Sequence, residues 1–134
     1  MNDSSAAEIK QHPIAVLGAG SWGTAVAIHL QRNGNLVSLW GRSADQINLM
    51  RSSRLNQEYL PGVKIPEQLE LHSHFGDCIN QTTDLVIAVP SPQFDVVLHQ
   101  LKPLYDAGVR FRLLWLTKGL AHEPLSLLSE RVAC

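Results

Sequence analysis

The 134-residue sequence predicts an α/β fold, a doubly wound and mostly parallel sheet, and three observations predict it. Short apolar runs of strand length alternate with segments whose apolar residues recur at helical spacing. The first run, Ile14-Ala15-Val16-Leu17, is apolar without alternation, as expected of a strand covered on both faces. It passes directly into Gly18-Ala19-Gly20-Ser21-Trp22-Gly23, a G-x-G-x-x-G turn at a strand-to-helix junction.

Taken in order, residues 1–12 have no periodicity and read as a loose tail. Strand one spans Ile14 to Leu17, preceded by Pro13. From Trp22 the apolar residues Trp22, Ala25, Val26 and Leu30 fall at helical spacing, and Asn33-Gly34 supplies a left-handed stop. Strand two, Leu36 to Trp40, completes a βαβ unit of about thirty residues. Ser43 then reads as an N-cap with Gln46 completing a capping box, and Ile47 and Met50 share one face of a helix running to about Arg54. The stretch Asn56 to Gly62 lacks a period and reads as a loop.

Leu69-Glu70-Leu71-His72 alternates as a short edge strand, and Asp77 is placed to cap a short helix through Cys78 and Ile79. Asp84 to Val89 is the clearest buried strand, ending at Pro90. Ser91 and Pro92 fit an N-cap and first helical position, with Phe94, Val97, Leu98 and Leu101 on one face and Pro103 closing the helix. Phe111 to Leu116 is the next strand, followed by Thr117-Lys118-Gly119. A last helix starts near Pro124, with Leu125, Leu128 and Val132 on one side.

In such a sheet the ligand crevice lies outside the carboxyl ends of the strands. The glycine turn, Gly41-Arg42-Ser43, Val89-Pro90-Ser91 and Thr117-Lys118-Gly119 all reach that edge. Gly18 takes the tight turn, Gly20 removes a side chain that would block a pyrophosphate, and Gly23 lets the helix approach the strand. The first-turn amides and the positive end of the helix dipole then face an anion. The competing reading is an ordinary tight connection; the flanking strand, helix and second strand argue against it.

Arg42 stands about twenty residues past the turn, where an acid would accept from the ribose hydroxyls of NAD, and an arginine there accommodates a 2′-phosphate instead. NADP is favoured, or at least tolerated; the alternative is a solvated arginine. Asp45 fits an early helix residue serving the dipole. Ser21 and Trp22 can offer backbone N–H groups and a hydroxyl to the pyrophosphate, unless Trp22 is simply core. Lys118 could bind an anionic substrate or polarise a ketone, or be an inert loop lysine. Ser91 lacks a histidine and acid to activate it, and reads as a cap. His72 and His74 could share a strand face, but no third metal ligand accompanies them, and the other histidines show no grouping.

A formal charge of −1 with interspersed signs offers no basic stripe, so nucleic acid is not an expected partner. No apolar run approaches the ~20 residues that span a bilayer, and the polar N-terminal segment lacks a signal peptide's apolar core, so a cytoplasmic protein without membrane insertion is expected. The two cysteines, Cys78 and Cys134, suggest neither a disulfide framework nor a zinc site; Cys78 reads as a small core residue.

Together, Gly18 to Ala25, Leu39-Trp40-Gly41-Arg42, Asn56-x-x-Tyr59-Leu60-Pro61-Gly62, Val89-Pro90-Ser91 and Thr117-Lys118-Gly119-Leu120 resemble, in order and spacing, the bacterial NAD(P)-dependent glycerol-3-phosphate dehydrogenases. The resemblance runs from Ile14 over nearly all the chain. It implies a Rossmann-type NAD(P)-binding domain over residues 13–134. It also implies reversible reduction of dihydroxyacetone phosphate to sn-glycerol 3-phosphate, the precursor of glycerophospholipids. Gly18, Gly20, Ser21, Trp22, Gly23 and Arg42 would bind NADP or NAD, Lys118 would contact both cofactor and substrate, and Thr117 would be a bystander. In that family a second, helical domain carries the proton-accepting lysine. We therefore expect an N-terminal portion that lacks its last strand and that second domain and is inactive alone, with a homodimer one arrangement open to the complete enzyme. Two other readings stand beside it: a stand-alone NADP(H)-binding module, or a related two-domain dehydrogenase for hydroxyacyl-CoA, phosphogluconate or ketopantoate. The Tyr59 to Gly62 and Thr117 to Gly119 segments favour the first over the last.

Overall fold

The computed structural model describes residues 13–80, 82, 84–116, 120–121 and 126–127. Five strands, β1 (Pro13–Leu17), β2 (Leu36–Trp40), β5 (Glu70–His72), β6 (Asp84–Ile87) and β7 (Arg112–Trp115), form one parallel sheet in the order β5-β2-β1-β6-β7. Helices α1 (Ser21–Arg32) and α2 (Ala44–Ser53) follow β1 and β2, while α3 (Phe75–Ile79) and α4 (Ser91–Asp106) flank β6 in sequence. The chain winds outward from β1 to β5, crosses back, and continues on the other side of β1 through β6 to β7. The strand order therefore reverses between β1 and β6.

Side-chain alternation along the strands divides the core between two faces. Ala15, Leu17, Leu85 and Ile87 pack with Cys78 and Ile79 of α3 and with Phe94, Val97 and Leu101 of α4. Val16, Leu39 and Val86 point the other way, onto Ala27 and Ile28 of α1 and Ile47 and Met50 of α2. Because both faces are covered, the central strands show the unbroken apolar runs of the sequence. At the outer edge Arg112 donates from Nε and Nη2 to both carboxylate oxygens of its register partner Asp84, at 2.6 and 2.7 Å.

The strand and helix order agrees with expectation, with instructive departures. Asn56 to Gly62 is not simply a loop, because β3 (Leu55–Asn56) and β4 (Leu60–Lys64) pair antiparallel with an irregular register. So short a hairpin, held partly by a buried asparagine, leaves no apolar period to detect. Helix α3 starts at Phe75 with His74 as its N-cap, which places Asp77 inside the first turn rather than at the cap. The β6 ladder ends at Ile87, β7 spans only Arg112–Trp115, and Pro90 rather than Ser91 is the N-cap of α4.

Pro103 does not close α4, which continues to Asp106. A proline here removes only its own N–H bond to the preceding turn, while its carbonyl still accepts from Ala107 N–H at 3.1 Å. The chain turns instead at Gly108, whose φ of +105° suits a residue without a side chain. Near Pro124, where a helix was expected, Ser126–Leu127 is strand β9, paired antiparallel with β8 (Leu120–Ala121). Leu125, Leu128 and Val132 lie outside the described residues.

Cys78 is buried, as expected of a core residue, and burial, helped by the negative charge of Glu70, pushes its thiol up to about 12 from 9.0. A raised folded-state value favours folding fully below the unfolded value and is lost as pH climbs from about 9 toward 12. In a Cys134→Ser background, Cys78 should resist thiol reagents at pH 8 until the chain unfolds. The urea midpoint should fall above pH 9 more steeply than in a chain also carrying Cys78→Ala; rapid native-state labelling would contradict this.

Candidate functional site

The carboxyl edge of the sheet is organised by the turn between β1 and α1. Gly18 N–H donates to Trp40 O of β2 and Ala88 N–H donates to Leu17 O, both at 2.8 Å, so the turn is tied to β2 on one side and to the chain leaving β6 on the other. Its φ is +124°, and a Cβ would lie 2.8 Å from the Ala88 carbonyl carbon. At Gly23 a Cβ would lie 1.7 Å from Gly18 O, so α1 can reach this position only with glycine. Gly20, the N-cap of α1, is different: nothing lies within 4 Å of the place a Cβ would take. Two glycines permit close packing, and the third leaves a cradle open. No acidic residue occupies the first turn of α1, so the positive end of its dipole is not neutralised there.

The back of the turn is held by side chains that the sequence reading did not assign to it. Asn56, only 1% exposed, donates from Nδ2 to Ala19 O at 3.0 Å and to Thr24 Oγ1 at 2.8 Å. Its Oδ1 accepts from Tyr59 N–H at 3.3 Å and from Gln46 Nε2 at 3.5 Å. Gln46 Nε2 also donates to Ala19 O at 3.1 Å. The expected capping box is thus half formed: Ser43 Oγ accepts from Gln46 N–H, but the Gln46 side chain turns to Ala19 instead of back to Ser43. The Asn-x-x-Tyr spacing carried the only legible signal, a local turn in which an asparagine accepts from a nearby N–H.

Ser21 Oγ donates to Tyr59 O at 2.6 Å, so its proton is directed at the hairpin and not outward. Trp22 is 76% exposed, which removes the reading of Trp22 as core. Arg42 is exposed just beyond β2 and has no ion-pair or hydrogen-bond partner among the described residues. Next to it, a Cβ on Gly41 would meet Ala19 Cβ at 2.9 Å, so the second loop is packed against the glycine turn. Asp45 lies in the first turn of α2, as expected. Lys118 and Thr117 lie outside the described residues. His72 Nε2 is 3.1 Å from Glu70 Oε1. Among the described residues no group of three His, Cys, Asp or Glu could hold a metal, and no helix is long and apolar enough to cross a membrane.

A family model described as the NAD-dependent glycerol-3-phosphate dehydrogenase N-terminus matches residues 13–133. A glycerol-3-phosphate dehydrogenase [NAD(P)+] of Glaesserella parasuis is 42% identical, the match covering 92% of this chain and 36% of that protein. One from Coxiella burnetii is 44% identical over the same shares. A crystal structure of glycerol-3-phosphate dehydrogenase from Coxiella burnetii superposes with a TM-score of 0.84 at 43% identity, covering 92% of this chain and 37% of that one. The Saccharomyces cerevisiae enzyme, 21% identical, shares the fold with a TM-score of 0.73 over 92% of this chain and 38% of its own. The chain spans little more than a third of the length of these relatives.

Alanine separates the packing glycines from the open one. Gly23→Ala should lower stability by about 3 kcal/mol or more, because backbone lies where the methyl would go. Gly20→Ala should cost about 1 kcal/mol or less, the usual penalty at an N-cap. Chemical denaturation of both variants checks this, and equal losses would contradict the geometry.

Proposed function

The chain belongs to the NAD-dependent glycerol-3-phosphate dehydrogenase family, of which it matches the N-terminal region, and from that premise we propose that residues 13–134 are the NAD(P)-binding portion of an oxidoreductase interconverting dihydroxyacetone phosphate and sn-glycerol 3-phosphate. The product would serve glycerophospholipid synthesis in the cytoplasm. The observation that carries the reading is the cradle at Gly20, open where a side chain would stand, at the point where strand order reverses.

The cradle is open at Gly20 and its helix-end charge suits the diphosphate of a dinucleotide. The amides opening α1, at Gly20, Ser21 and Trp22, bind an anion through N–H donors whose dipole is not countered by an acid. Gly18 and Gly23 contribute by letting the turn and the helix come together. Ser21 acts through its backbone, since its hydroxyl proton is engaged by Tyr59 O. Arg42, exposed at the end of β2, binds the 2′-phosphate of NADP and leaves NAD a weaker alternative. Lys118, which follows β7 in sequence, contacts cofactor and substrate.

When bound, the nicotinamide supplies the hydride that reduces the ketone carbon. The residues of this chain bind and orient the cofactor, and none of them is assigned the proton transfer. A cation such as Lys118 near the ketone would stabilise the developing alkoxide.

Arg42→Ala should weaken NADPH about tenfold or more while changing NADH little, because a charge-assisted hydrogen bond is lost only for the 2′-phosphate. Titration calorimetry with both cofactors checks this, and equal losses would remove Arg42 from the site. In a chain of the relatives' length, NADPH oxidation should depend on dihydroxyacetone phosphate, and Lys118→Ala should impair it with the fold intact. Turnover with another ketone in its place would reassign the substrate.

A further inference from the structure

We propose that Asn56 is a positioning residue for the nucleotide, acting through the Ala19–Gly20 peptide; the inference rests on the nucleotide reading above. Two side-chain donors converge on one carbonyl, Asn56 Nδ2 at 3.0 Å and Gln46 Nε2 at 3.1 Å from Ala19 O. The peptide bond is planar and trans, so its carbonyl and its N–H point in opposite directions. Holding Ala19 O toward the interior therefore aims Gly20 N–H at the opposite side. That N–H has no partner among the described residues, and the space beside Gly20 is open.

Asn56 is suited to the role because it is fully committed. Its second bond fixes Thr24 Oγ1, inside α1, and its carbonyl oxygen accepts from Tyr59 N–H and Gln46. One buried side chain thus ties the glycine turn, the first helix, the second helix and the β3–β4 hairpin together. A buried amide with this many bonds resists rotation, since any other orientation strands polar groups away from water. The bond from Ser21 Oγ to Tyr59 O adds a second tie between hairpin and turn. The hairpin, in this account, sets the direction of the amide that meets the diphosphate.

The test replaces the donor while keeping the shape. Asn56→Asp retains an acceptor for Tyr59 N–H but puts an oxygen where Nδ2 donated. At pH 8 the 134-residue variant should bind NADPH at least tenfold more weakly than wild type. Its affinity for adenosine 2′-monophosphate, which has no diphosphate and engages the Arg42 end, should change less than twofold, with both read by NMR titration. Circular dichroism establishes folding. If Asn56→Asp fails to fold, Gln46→Met removes the second donor from a half-buried position and should give a smaller loss, about threefold, again for NADPH only. NADPH binding unchanged in the deciding variant overturns the proposal. So does an equal loss of both ligands, which would make Asn56 a structural residue only. A wild-type chain that does not bind NADPH would instead overturn the nucleotide reading itself.

Discussion

The structure depends on how closely the first turn of α1 approaches the seam between β1 and β6. Gly18 is wedged against the Ala88 backbone, and Gly23 in turn lies against Gly18 O, with no room for a methyl group at either contact. These contacts set where α1 leaves the sheet, hence how Ala27 and Ile28 meet Val16 and Val86. They also bring the amino end of the helix to the carboxyl edge of the strands. Packing and site are therefore fixed by one constraint. A side chain at either glycine would separate helix from sheet and dissolve both.

The second loop follows from the first. Trp40 O accepts from Gly18 N–H, and Gly41 lies against Ala19 and Ile47. This close fit leaves Arg42 as the residue emerging next to the glycine turn. From the other side of α2, Arg54 Nη1 donates to Pro66 O and Leu69 O at 3.1 and 2.8 Å, and Arg51 donates to Leu71 O. Arg54 thus satisfies carbonyls of the irregular segment leading into β5, and Arg51 one within β5 itself. The hairpin is thereby delivered to the back of the glycine turn.

What the sequence showed and what it hid divide along physical lines. The central strands were legible because two-sided burial writes itself as continuous apolar runs, and α2 because one face of it must be apolar; α1 was legible as a helix, but it buries Gly23, Thr24, Ala27 and Ile28 and not the expected stripe of Trp22, Ala25, Val26 and Leu30. The glycine turn was legible because each glycine answers a different steric demand. The hairpin was hidden, since its order comes from polar bonds made by Asn56 and Ser21 to residues distant in sequence. The same cause spoiled the capping box: a local partner for Gln46 was available at Ser43, but the carbonyl of Ala19 won. Pro103 misled for the opposite reason, because a single missing donor near a helix end is tolerable when the following turns still close. Trp22 suited an apolar stripe by spacing alone, yet the first turn of a helix that abuts the carboxyl edge projects past the core.

The polarity of the edge follows from where these side chains look. Ser21, Gln46 and Asn56 all turn inward and commit their donors to carbonyls of Tyr59 and Ala19. At the glycine turn and its neighbour, the amides opening α1 share the edge with the exposed ring of Trp22, the exposed guanidinium of Arg42 and Ser43, whose Oγ accepts from Gln46 N–H. Amides and a guanidinium only donate. Such a surface can hold a polyanion and keep it oriented. The division suits an edge that orients an anion with backbone donors held in place from behind by Asn56 and Gln46.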